Sequence, residues 1–147
     1  MNKIKYLAIS SLVLIISCTT PYQKQTWHSF RGGYSEKKLS DNSFSITFNG
    51  NGWTNSNKIS DFALRRSAEV TLENDFNYFV ISQNDSDQVR KAAYGSGLVG
   101  IVVGQAIPKP TTNLIIFCYK ERPKTTEKVY DAEKIAKNIK DRYKDLF

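Results

Sequence analysis

Apolar and polar residues alternate strictly from Ser43 to Asn49 (SFSITFN). Phe44, Ile46 and Phe48 take one face, and Ser43, Ser45, Thr47 and Asn49 the other. A period of two predicts a half-buried β-strand. Asn49 to Gly52 (NGNG) supplies residues that tolerate turn conformations, and Thr54 to Asn57 supply helix caps. The spacing then predicts a helix over Lys58 to Asn74. Ile59, Phe62, Ala63 and Val70 fall on one side of it and Leu64, Ala68 and Leu72 on the other, so it should be contacted on two sides. Phe76 to Ser82 (FNYFVIS) is a nearly continuous apolar strand, and a doubly buried strand reached through a helix predicts a parallel β-α-β crossover. A further strand is expected over Asn113 to Glu121, then a charged turn (RPKTTEK) and a helix from Asp131. In that helix Ala132, Ile135, Ala136, Ile139, Tyr143 and Leu146 form one stripe. Lys134, Lys137, Lys140 and Lys144 lie off the stripe, moderated by Asp141 and Asp145. The helix reads as packed on a sheet, or alternatively as lying on anionic lipid.

Two apolar runs fit none of these elements. Leu98 to Ile107, with Gly100 and Gly104 inside it, is too short to span a bilayer. It belongs to a connection over residues 83–112 that reads as a long loop or hairpin extension, the alternative being a lid against membrane or a partner chain. The other run, Tyr6 to Ile16, follows Lys3 and Lys5 and is interrupted only by Ser10 and Ser11. A helix crossing the hydrocarbon core needs roughly 20 apolar residues. This run is about half that and reads as the hydrophobic region of a signal peptide.

It ends in Ile15, Ile16, Ser17, Cys18, which resembles the bacterial lipobox: branched apolar residues, a small residue, then the cysteine that receives lipid. By that resemblance residues 1–17 are a signal peptide and Cys18 is the new amino terminus. Cys18 then carries a diacylglyceryl thioether, with acylation such as palmitate on its amino group. Two or three chains at about 0.8 kcal/mol per buried methylene hold a protein on a membrane indefinitely. An ordinary secretion signal, or a chance cysteine beside an uncleaved anchor, is the alternative. Among Gram-negative lipoproteins an aspartate after the cysteine favours the inner membrane. Thr19 at that place implies the outer membrane, facing the periplasm, if the source is Gram-negative.

Removing residues 1–17 from the 147-residue chain leaves roughly 130 residues, the size of one domain. The division expected is a signal peptide at 1–17, a lipidated tether at 18–33 and a single domain at 34–147. Thr19 to Thr26 is polar, contains Pro21 and has no period; extended, its eight residues would reach about 26 Å. Trp27 to Phe30 are expected to dock on the domain. At 40% hydrophobic and 12% aromatic residues the chain is globular rather than disordered. Its net charge of +7 at neutral pH would raise nucleic acid for a cytoplasmic protein. For an envelope protein the acidic surfaces available are lipid headgroups and wall polymers, so no nucleic-acid partner is expected.

Candidate chemistry is sparse. With Cys18 acylated, Cys118 is the one remaining thiol, and its place in LIIFCYK reads as a small buried hydrophobe. The single histidine, His28, lies far from it in sequence. Arg66, with Glu69 and Glu73 at the third and seventh positions after it, reads as a structural ion-pair network rather than a ligand site. Asn84, Asp85 and Asp87 lack the glycine and distal glutamate of a calcium loop. Gly95, Gly97 and Gly100 match GxGxxG but precede Pro108 and Pro110 rather than a helix, so no dinucleotide cofactor is expected. Gly50, Asn51 and Gly52, leading into a helix amino terminus, are the place for an anion or polar ligand, with turn geometry as the alternative. No metal is expected.

GYSEKKLSDNSFSITFNGNGW at Gly33 to Trp53, DFALRRSAEVTLEND at Asp61 to Asp75, YFVI at Tyr78 to Ile81 and YDAE at Tyr130 to Glu133 together resemble a family of small bacterial lipoproteins of uncharacterised function. The resemblance implies the anchor and the single domain and brings no activity. Trp53 stands where a tyrosine or phenylalanine is expected, and Arg65 where an apolar residue is usual. The fold expected is α+β: a mixed sheet of three or four strands with two helices, in the order β-α-β-β-α. The function expected is that of a non-enzymatic binding or structural module meeting another envelope protein or a wall polymer. A small envelope hydrolase is the alternative.

Overall fold

In a computed structural model, which describes residues 19–26, 31–84 and 109–144, the apolar faces of the sequence converge on one core. The strands are β1 (Gly33–Lys38), β2 (Ser43–Asn49), β3 (Tyr78–Asn84), β4 (Thr111–Tyr119) and β5 (Val129–Asp131); the helices are α1 (Ser56–Glu73) and α2 (Ala132–Arg142). They form one five-stranded sheet in the order β1-β2-β4-β3-β5. Every pairing between these strands is antiparallel. The class is α+β, but the sheet has five strands rather than three or four and is not mixed.

The crossover expectation fails in an instructive way. Because β2 and β3 each pair antiparallel with β4, they run in the same direction, as a β-α-β unit requires. They are not neighbours, since β4 is inserted between them. The two strands absent from the sequence reading are the edges. GYSEKK in β1 and the three residues of β5 carry no apolar alternation, and short or charged strands are typical of sheet edges.

Both helices cover one face of the sheet. Phe44, Ile46 and Phe48 from β2, Leu114, Ile116 and Cys118 from β4, and Phe79 from β3 meet Ile59, Phe62, Ala63, Ala68 and Val70 of α1, with Ala132 of α2 in the same cluster. Burial of this kind contributes about 25 cal/mol per Å² of apolar surface. Asn55 caps α1, its side chain accepting from Asn57 N at 2.8 Å, and Asp131 caps α2 through Lys134 N at 3.1 Å. The two-sided character of α1 follows from its place between the sheet and α2. Leu72 departs from that pattern and is exposed.

The segment expected to be a tether is part of the fold. Gln25 N donates to Tyr34 O at 2.7 Å and Tyr34 N donates to Gln23 O at 2.8 Å, so residues 23–25 run alongside β1 and cover its open edge. Two glycines make this possible. A Cβ on Gly33 would lie 2.5 Å from Gln23 O, and one on Gly32, where φ is +87°, would lie 2.1 Å from Asn49 O. The sequence showed polar residues with no period; what it could not show is that their backbone, rather than their side chains, makes the attachment. Trp27 to Phe30, the residues before Thr19 and the connection 85–108 lie outside the described residues.

Candidate functional site

Two clusters hold the amino-terminal segment, and each contains residues singled out in the sequence. The first is the loop after β2. Gly50 N donates to Pro110 O at 2.8 Å, and a Cβ at Gly50 would lie 2.8 Å from Ile59 Cδ1 and 2.9 Å from Pro110 Cγ. That glycine is needed for close packing. Asn51 N donates to Thr20 Oγ1 at 2.8 Å, and Asn51 Oδ1 accepts from Trp53 N at 3.1 Å. Thr20 N donates to Thr54 Oγ1 at 2.8 Å, and the two threonine hydroxyls are 2.9 Å apart. Both threonines are buried. The backbone donors that could have received an anion at Gly50 and Asn51 therefore serve Pro110 and Thr20. Lys58 adds a bond from Nζ to Thr19 Oγ1 at 3.1 Å. Gly52 and Trp53 lie on the outside of the loop, with Trp53 74% exposed.

The second cluster is built around Arg66. Its guanidinium makes two parallel bonds to Glu73 at 2.8 Å each, a third to Glu69 Oε2 at 3.2 Å and a fourth, through Nε, to Glu36 Oε2 at 2.8 Å. The structure thus brings Arg66, Glu69 and Glu73 together and adds Glu36, which β1 places on the helix face opposite Ile46. Burial works against the Arg66 charge, and the Glu36 and Glu73 carboxylates outweigh it, so its pKa is raised. Burial would likewise push Glu36 up, yet the bond to Arg66 holds its carboxyl below the ordinary range.

Tyr22 joins this cluster from the amino-terminal segment. Its hydroxyl donates to Glu69, and its ring lies 5.4 Å from Phe62 and 5.3 Å from Tyr34, centroid to centroid. The Arg65 guanidinium lies 4.4 Å from the Tyr22 ring and that of Arg66 4.7 Å from the Tyr34 ring. Burial, with Glu69 beside it, raises the Tyr22 pKa. No sequence signal marked Tyr22 or Glu36, because neither lies at a helical spacing from Arg66.

Among the described residues no group of His, Cys, Asp and Glu is arranged to hold a metal ion. Cys118 is buried on the helix face of β4, its sulfur 3.4 Å from Thr71 Oγ1, and burial raises its pKa. It is a protonated core residue. A cavity of about 190 Å³ is lined by Leu72, Asn77, Tyr78, Asp131 and Glu133. Its Asp131 carboxylate caps α2, and the bond from Lys134 N keeps the group ionised by lowering its pKa. A second cavity, of about 150 Å³, contains Ser60 and Asp61. There Asp61 accepts from Arg142 at 2.7 Å and from Tyr143 at 2.8 Å. The carboxylate of the second cavity is thus engaged by a guanidinium and a phenol, and His28 lies outside the described residues.

No protein-family model matches the sequence, and no curated protein or solved structure is significantly similar to it. What the chain does must be argued from its own residues. The geometry can do one thing well: it seizes the first residues after Cys18 and holds them against the body. Among the described residues no helix is long and apolar enough to cross a membrane.

Proposed function

We propose that this chain is a lipid-anchored bacterial envelope protein, acylated on Cys18, that works as a binding or structural module rather than through catalysis. The carrying observation is the amino-terminal pattern: Lys3 and Lys5, an apolar run too short to span, and Ile15, Ile16, Ser17, Cys18. The fold is compatible with it, because Thr20 and Tyr22, shortly after the cysteine, are bonded to the body. The membrane is the first partner, reached through the Cys18 lipid. Another envelope protein or a wall polymer is the second, and the outer membrane facing the periplasm is the location if the source is Gram-negative. The test is metabolic labelling with a palmitate analogue. Wild-type protein should take up label and partition with membranes, whereas Cys18→Ser should accumulate as an unlabelled, unprocessed precursor. Normal processing of that variant would sink the assignment.

A further inference from the structure

We infer that the loop Asn51 to Thr54 lies flat on the lipid surface and that Trp53 inserts into the headgroup layer beside the anchor. The inference rests on acylation of Cys18. An eight-residue free tether would have let the body stand about 26 Å from the bilayer. Instead Thr20 is buried in the loop, bonded to Thr54 and Asn51. It stands two positions after Cys18, a span of at most about 7 Å. The headgroup region accounts for roughly 5–7 Å per leaflet. The loop that holds Thr20 is therefore kept at the headgroup layer, within about 7 Å of Cys18, while the lipid chains remain in the bilayer.

The chemistry at this end of the molecule suits the position. A lone exposed tryptophan is ordinary on a protein surface. Here it is the residue next to Thr54, whose hydroxyl is 2.8 Å from Thr20 N. Tryptophan favours the membrane interface because its ring is apolar and its N–H is polar. Around it the described segments 31–33, 49–60 and 109–112 contain Arg31, Lys58 and Lys109 and not one acidic residue, whereas Lys24 is turned to Glu36, 3.7 Å away. The first turn of α1 likewise carries no acid. Gly32 packs on Thr20, and Pro110 receives the Gly50 bond, so Arg31 and Lys109 are attached at this same end. Both are exposed, and basic side chains close to an anionic leaflet are attracted to it.

The test uses full-length mature protein in vesicles of phosphatidylethanolamine and phosphatidylglycerol, with and without phosphatidylcholine brominated near the top of its acyl chains. Mass spectrometry of the same sample reports lipid on Cys18. The chain has two tryptophans, so subtracting the emission of Trp53→Ala from wild type isolates Trp53; Trp53→Phe, which keeps an apolar ring, serves the same subtraction. The expected result is Trp53 emission at short wavelength, quenched by bromolipid and protected from aqueous acrylamide. Acylated protein whose Trp53 is open to acrylamide and untouched by bromolipid overturns the orientation and leaves the anchor standing. Protection from both quenchers means that a protein covers Trp53, which also overturns it. Unmodified Cys18 overturns the anchor reading and this one together.

Discussion

Arg66 illustrates how a charged residue earns a place in a core of this size. Its side chain is only 9% exposed, and three carboxylates meet it from two elements, so the ion is compensated at every donor that the geometry can reach. Removing the cation leaves Glu36, Glu69 and Glu73 facing one another. Arg66→Ala should cost about 3 kcal/mol, the lower end of the range for breaking a buried pair, because the Glu73 side chain is itself half exposed. A urea midpoint measures this, and a change smaller than experimental error would mean that the network is solvated. Acid should probe the same cluster. The folded-state pKa of Glu36 is depressed, so its contribution is complete above the ordinary carboxylate pKa of about 4.3 and is lost as pH falls through the folded value. The urea midpoint should hold from neutrality to about pH 5 and then decline, and Glu36→Gln should shallow that decline. Arg66, Glu69 and Glu73 were legible in the sequence because helical spacing relates them. Glu36 and Tyr22 were not, since a contact across 30 or 47 residues leaves no local pattern.

At the scale of elements, the amino-terminal strip and the edge strand depend on each other. β1 has little apolar content of its own, and residues 23–25 cover its outer side by backbone bonds while Tyr22 secures the strip to α1. Tyr22→Ala removes the ring and its hydroxyl but leaves the backbone bonds free to form. Amide exchange at Gln25 and Tyr34 should then quicken roughly tenfold or more, the factor corresponding to about 1.4 kcal/mol. Amides in the β2 and β4 pairing should keep their protection. Unchanged exchange at Gln25 would show that the strip is held without the ring. The helices and the central strands were readable because periodicity reports which face is buried. The edge strands were not, since an edge needs only backbone pairing on one side and imposes no alternation.

For the whole molecule, the consequence of the docked strip is geometric. A lipid on Cys18 would sit two residues from a rigid body, which would make orientation at the membrane a property of the fold and not of a flexible linker. The sequence by itself determined the α+β class, the three core strands, both helices and the burial of Cys118. Each of these is written locally, as a run length or a hydrophobic period. The tertiary structure alone decided that β4 inserts between β2 and β3, that the sheet is antiparallel throughout, and that Thr20 and Tyr22 belong to the body. Strand order and docking depend on contacts between residues far apart in the chain, where energy comes from complementary surfaces rather than from any repeat along the sequence.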